Sequence, residues 1–138
     1  MTDAHIRSQA DLETYIGHFN AKRYDEQIAY YAPDVVYKVG SLTLTSPQAI
    51  KDFYADFHQY SKEFVRIAMF AQTGDVVAVA LPSRFEPFRD YEKNGLSFKA
   101  GTLYEFVSLV FYRLKQGKIW RIRMARYAGT ASDFDDAA

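Results

Sequence analysis

The sequence predicts an α+β domain with helices on one face of an antiparallel sheet, and three observations predict it. Apolar residues recur at helical spacing through the first 60 residues, strand alternation takes over from residue 64, and turn signals divide the strands into consecutive hairpins. Helices first and a meander afterwards is the element order of that class.

Each element has a local cause. Over residues 8–20, Leu12, Tyr15, Ile16 and Phe19 fall at steps of three and four and make an amphipathic helix. A second, short helix is predicted over 24–31, stopped by Pro33, which has no amide hydrogen to donate. The β-branched and aromatic run 35–39, the Gly40-Ser41 turn and residues 42–45 read as a hairpin. Ser46 is a predicted N-cap with Pro47 in the first turn, and Ile50, Phe53, Tyr54 and Phe57 form the stripe of a third helix ending near Tyr60. Strands follow over 64–72, 76–89, 97–115 and 118–127, separated by Gly74-Asp75, Lys93-Asn94-Gly95 and Gln116-Gly117. Pro82 and Pro87 within one strand predict a bulge or bend. One domain spans 1–138, with an ordered core of about 8–128 and a tail, 129–138, expected to fray.

Composition excludes several functions. Seventeen basic residues balance seventeen acidic ones and no basic block occurs, so nucleic acid is not an expected partner. Without cysteine there are no disulfides or thiolate chemistry, and no histidine pair has metal-ligand spacing with a carboxylate, so neither a metal nor a cofactor is expected. No apolar run approaches a membrane span and no signal-peptide region opens the chain, so no membrane partner and a cytoplasmic location are expected. Eleven Tyr, 11 Phe and one Trp in 138 residues favour a pocket for a small hydrophobic or aromatic molecule, because buried hydroxyls need partners.

Candidate site residues follow from these positions. His58 lies at the margin of the stripe that holds Tyr54, where it can look toward a cavity; His18 sits on a helix shoulder, suited to packing, and His5 in the N-terminal segment. Arg84 and Glu86 share a strand face and would form either a cavity guanidinium–carboxylate pair or a solvated ion pair. On the next strand Tyr104, Phe106, Ser108, Val110 and Tyr112 share the face assigned to the pocket, and the opposite face is predicted to pair with a second subunit as a homodimer. On the last strand, alternation from Met124 gives Trp120, Ile122 and Arg126 pocket parity.

The segment TYIGHFNAKRYDEQIAYYAPDVVYKVGSLTLTSPQAIKDFY resembles the opening of nuclear transport factor 2-like (SnoaL-like) proteins, where a helix runs into F-N-A, then Y-A-P-D-V-V-Y, then A-I-x-x-F-Y; KQGKIWRIRMARY is similar to their last strand. The resemblance covers about Leu12 to Tyr127. It implies a cone-shaped barrel of a curved antiparallel sheet packed by three N-terminal helices around an internal pocket. Relatives include ketosteroid isomerase, polyketide cyclases, epoxide hydrolases, aromatic lyases and binding modules. Tyr15 falls where ketosteroid isomerase carries its oxyanion-donating tyrosine, while that enzyme's aspartate base falls on Val39. Tyr37 matches a water-positioning tyrosine of limonene epoxide hydrolase, whose second aspartate falls on Met124, and Arg84-Phe85-Glu86 echoes its Arg-x-Asp motif.

The sequence therefore predicts a cofactor-independent lyase or isomerase working by acid–base chemistry, with Tyr15, His58, Arg84 and Glu86 as catalytic candidates. Tyr37, Tyr54, Phe106, Tyr112, Trp120, Met124 and Arg126 are the substrate-binding candidates. Elimination or carbon–carbon cleavage is favoured, because the isomerase base is missing. A non-catalytic binding or dimeric interaction module and an epoxide hydrolase are the alternatives, the latter requiring Glu86 inside the cavity.

Overall fold

The helical stripes bury as their spacing requires. The structure is a computed structural model and describes residues 3–135. Helix α1 (Gln9–Asn20) is capped by Ser8, whose side chain accepts from the Asp11 amide, and buries Leu12, Tyr15, Ile16 and Phe19. Helix α2 (Tyr24–Ile28) ends earlier than expected, because Tyr31 already opens strand β1 (Tyr31–Val39). Pro33 sits within β1, in an irregular stretch between Tyr31 and Val36 where the ladder skips residues and no proline donor is missed. Strand β2 (Leu42–Leu44) completes the first hairpin. Helix α3 (Pro47–Phe57) starts at a Ser46 cap and buries Ile50, Phe53, Tyr54 and Phe57.

The remaining strands are β3 (Ser61–Val65), β4 (Met69–Thr73), β5 (Val76–Pro87), β6 (Tyr91–Lys93), β7 (Leu96–Phe98), β8 (Tyr104–Lys115) and β9 (Lys118–Arg126). Seven strands form one curved sheet, ordered β2-β1-β9-β8-β5-β3 with β4 also on β5, while β6 and β7 make a separate two-stranded hairpin. The β1–β9 pairing is parallel, so the sheet is mixed rather than wholly antiparallel. With the three helices it makes an α+β cone.

Two strands expected to be continuous are divided. The 64–72 strand is β3 and β4, because residues 66–68 on that side face only residues 81–82 of β5. The bend expected at Pro82 is thus in its partner: β5 keeps unbroken register with β8 from Val76↔Arg113 to Phe85↔Tyr104, and the Pro82 carbonyl accepts from the Arg66 amide at 3.1 Å. The 97–115 strand is β7 and β8, since 96–98 pairs back through the Asn94-Gly95 turn. Asn94 (φ 57°) and Gly95 (φ 75°) both adopt positive φ, as a tight two-residue hairpin requires.

The core lies between α1, α3 and the concave sheet face, where Leu12, Val35, Ile50, Val77, Val110, Ile119 and Ile122 are buried. A smaller aromatic cluster of Phe57, Tyr91 and Phe98 packs beneath β6 and β7, with Phe57 edge-on to Tyr91 at 5.0 Å. The termini are more ordered than expected. Ala4 and Ile6 are buried and the Ile6 amide donates to Gly117; residues Ala131–Phe134 form a 3₁₀ turn, and Asp135 pairs with Arg66. The rest of the tail, 136–138, lies outside the described residues.

One contact ties the helices to the sheet edge. Asn20, last residue of α1, donates from Nδ2 to the Val65 carbonyl (2.7 Å) and accepts at Oδ1 from the Val65 amide (2.9 Å), as a strand residue would. Asn20→Ala is expected to destabilise the protein by about 2 kcal/mol in urea unfolding, since two hydrogen bonds vanish and two backbone groups lose partners. Asn20→Asp replaces the donor by a carboxylate oxygen facing the Val65 carbonyl and should lose at least as much; a loss below about 0.5 kcal/mol in Asn20→Ala would show that the clamp contributes nothing.

Candidate functional site

Curvature of the sheet holds its inward side chains away from the helices and leaves a cavity of about 350 Å³. Helix α1 supplies Tyr15, Ile16 and Phe19; α2 supplies Gln27; α3 supplies Phe53, Tyr54 and Phe57. The sheet supplies Tyr37, Glu63, Leu81, Phe85, Phe106, Ser108, Tyr112, Ile122, Met124 and Arg126. The wall is mostly apolar, so the polar groups in it stand out.

One of them is a carboxylate that the sequence reading passed over. Glu63 lies in the middle of β3, where alternation puts Ser61, Glu63 and Val65 inward and Lys62 and Phe64 outward. Its side chain is 7% exposed, and Oε1 is 2.9 Å from Nε2 of His58, itself 3% exposed. On the other side of the ring, His58 Nδ1 is 2.6 Å from the Tyr24 hydroxyl. Nε2–H donates to Glu63, and Nδ1 shares one hydrogen bond with the Tyr24 hydroxyl. His58 thus stands behind Glu63 rather than in the wall. Burial raises the Glu63 pKa above its ordinary value, and the His58 hydrogen bond and charge offset part of that rise.

The tyrosines form two hydroxyl pairs. Tyr15 and Tyr31 are 2.6 Å apart, with Gln27 Nε2 donating to Tyr31 at 3.0 Å, and Tyr37 and Tyr54 are 2.5 Å apart. Burial pushes Tyr15, Tyr54 and Tyr112 well above the usual phenol range and Tyr31 up to about 12. These phenols stay protonated and act as hydrogen-bond donors. Each pair uses one O–H internally, which leaves one proton per pair to offer elsewhere.

Of the expected site residues, the structure brings Tyr15, Tyr37, Tyr54, Phe106, Tyr112, Met124 and Arg126 to one cavity. It does not bring Arg84, Glu86 or Trp120. Arg84 and Glu86 are 52% and 53% exposed on the outer sheet face and approach each other only to 3.8 Å. The missing bulge in β5 is the reason: unbroken alternation from Val77 turns both outward. Trp120 is displaced by a bulge where Arg113↔Arg121 is followed by Leu114↔Ile119, so Ile119 turns inward and Trp120 stacks beneath Arg121 at 3.9 Å. His18 accepts from Arg23 Nε and His5 pairs with Asp3, both away from the cavity. Gln27, also unforeseen, lies at 1% exposure on the Tyr24–Tyr31 side of α2. Among the described residues no group of three His, Asp or Glu is arranged to hold a metal ion, and no helix is long and apolar enough to cross a membrane.

The helix-closed cone is shared with known proteins. The SnoaL-like domain family matches residues 12–122. The chain belongs to that family. That family lies within the nuclear transport factor 2-like superfamily. The structure is similar to a SnoaL-like polyketide cyclase from Agrobacterium tumefaciens (TM-score 0.72, 16% identity, 89% of this chain and 94% of that one). It is similar also to TerC co-crystallised with polyporic acid (0.67, 17%, 86% and 89%) and to an LEH-like epoxide hydrolase of M. tuberculosis (0.67, 13%, 89% and 84%). At these identities the likeness is one of fold. Among curated protein sequences, none matches the chain.

Two outcomes are expected of this SnoaL-like domain. Because the Glu63 pKa is raised in the folded state, folding favours its protonated form; that stability is present at low pH and lost as pH rises through the folded value. Glu63→Gln should therefore melt higher relative to wild type at pH 7 than at pH 4, and a difference independent of pH would contradict the assigned burial effect. Arg84→Ala with Glu86→Ala should change unfolding free energy by less than about 1 kcal/mol, as exposed ion pairs do. A larger loss in urea titrations would mean that the pair has a structural role.

Proposed function

We propose that this SnoaL-like protein is a lyase or isomerase that transfers protons by side-chain chemistry alone on a small, mostly apolar, ring-bearing substrate. The observation that carries this reading is Glu63: a nearly inaccessible carboxyl group in the wall of an apolar cavity, backed by His58. Its Oε2 makes no hydrogen bond to the protein among the described residues, which leaves that oxygen for a substrate C–H. A carboxylate in such surroundings is a stronger base than in water and titrates closer to neutrality.

In this reading Glu63 takes the role that the sequence offered to His58 or Glu86. His58 orients the carboxylate and compensates its charge. Tyr15 and the Tyr37–Tyr54 pair donate to oxygen where negative charge develops. The carboxylate–imidazole pair beside tyrosine hydroxyls favours catalysis over a purely binding cone, and with Glu63 as base the ground for ranking elimination or carbon–carbon cleavage above isomerisation falls away. Epoxide hydrolysis relying on Glu86 is dropped, since Glu86 faces solvent. TerC, of similar fold, is co-crystallised with polyporic acid, which supports a small-molecule ligand for this cone.

A cytoplasmic location belongs to the same proposal, supported by the absence of cysteine. So does a homodimer through the outer sheet face, where the exposed Phe111 and Met69 flank the small side chains of Ala78 and Ala80. The acid–base reading is tested by following loss of the α-protons of a bicyclic ring ketone, tetralone, in D₂O by NMR. Wild type should accelerate exchange, Glu63→Gln should lower the rate by about 10²–10⁴-fold, and Tyr15→Phe and His58→Ala by about tenfold or more. A Glu63→Gln variant exchanging at the wild-type rate would remove Glu63 from the chemistry.

A further inference from the structure

The cavity carries a polar group near each end that the proton transfer does not use. At its closed end Gln27 donates from Nε2 to the Tyr31 hydroxyl, while its Oε1, fully buried, has no hydrogen-bond donor among the described residues. Gln27 lines the cavity, and Tyr31 links it to Tyr15. A buried amide oxygen without a partner is costly, and a ligand that excludes water from it without donating leaves that cost in place.

At the other end stands a cation. Along β8 and β9 the pair Tyr112↔Ile122 is buried, and four residues further the pair is Ser108↔Arg126. At the rise of a strand this is a separation of roughly 13 Å. Arg126 is exposed at the mouth, with its guanidinium 3.6 Å from the centre of the Phe106 ring. It makes no ion pair among the described residues. Contact with the ring face holds the guanidinium at the mouth, and without an ion pair its N–H donors are available to an anion. A single planar fork matches a carboxylate in two-point contact.

We infer that the cavity selects an elongated, ring-bearing hydroxy acid, whose hydroxyl donates to Gln27 Oε1 at the closed end and whose carboxylate is held by Arg126 at the mouth. The ring system between them fills the apolar middle, against Phe19, Phe53 and Phe57. This rests on the cavity being the substrate site, and not on Glu63 being the proton-transfer group.

The test is titration calorimetry of the full chain with three probes: a naphthoic acid bearing a hydroxyl at the far end of the ring system, its methyl ether, and the corresponding naphthol without carboxylate. The hydroxy acid should bind at least about tenfold more tightly than either. Gln27→Leu should abolish the preference for hydroxyl over methoxyl and keep the preference for the acid; Arg126→Gln should do the reverse. Should Gln27→Leu fail to fold, Gln27→Met gives the same reading, and the comparison of probes on wild type needs no variant. Equal affinity for the three probes, tighter binding of the ether, or no binding of the hydroxy acid at millimolar concentration overturns the inference. Glu63→Gln should keep the binding pattern, so loss of the pattern with Glu63-dependent exchange intact overturns this inference alone. Loss of exchange with the pattern intact overturns the acid–base reading alone.

Discussion

The two hydrogen bonds between Asn20 and Val65 are the constraint on which the site depends. Strand β3 is the last strand on its side of the sheet, paired only with β5, and a terminal strand of five residues has few contacts to fix its position. Asn20 presents an amide that satisfies the Val65 backbone as another strand would, and so binds the end of α1 to the end of β3. Glu63 is two residues away on the same face. His58 caps the C-terminus of α3, with its amide on the Tyr54 carbonyl, and only two residues separate it from β3. The distance between imidazole and carboxylate is therefore set by a helix end, a short connection and a clamped strand.

That geometry holds two ionisable groups in surroundings that resist charge. Leaving Glu63 unpaired in an apolar cone would strongly favour its neutral form, and His58 reduces this preference without removing it. The tyrosines respond to the same burial in the opposite functional sense, because a phenol whose ionisation is suppressed becomes a dependable donor. One environment thus separates the roles: a carboxyl group whose pKa burial raises above the ordinary carboxylate value, and hydroxyls whose ionisation burial suppresses.

Legibility in the sequence follows the regularity of each element. Helical spacing identified Tyr15 and Tyr54, and strict alternation along β8 identified Phe106 and Tyr112, because neither element departs from its period. Parity failed at Trp120, where a bulge reverses alternation without a glycine or proline to mark it. It misled at Pro82 for the opposite reason: proline marks a bend, but the extra residue lies on the facing strand, around Ile67, which carries no marker. Glu63 was hidden by its neighbour Phe64, whose exposed ring made the strand look as if it began at residue 64, three residues after its start at Ser61. Gln27 gave no signal by residue type. Its importance comes from Tyr31 occupying its amide nitrogen, a contact between a helix and a strand.

The assignment of roles also narrows the chemistry. Among the described residues Glu63 is the one carboxylate in the cavity wall, and the tyrosine pKa values are too high for these phenols to lose protons near neutral pH. In the proposed reaction a proton taken from carbon therefore resides on Glu63 until something accepts it. An isomerisation returns it to another carbon of the substrate; an elimination gives it to the departing oxygen. Both need the acceptor to lie within reach of one carboxyl group, and both need the intermediate negative charge to be held on oxygen by the spare hydroxyl proton of a tyrosine pair. Reactions that demand two independently placed carboxylates, one to activate water and another to deliver a proton, have no second group here to use. The cavity favours substrates whose two sites of proton transfer are the ends of one three-atom unit, both within reach of that carboxyl group.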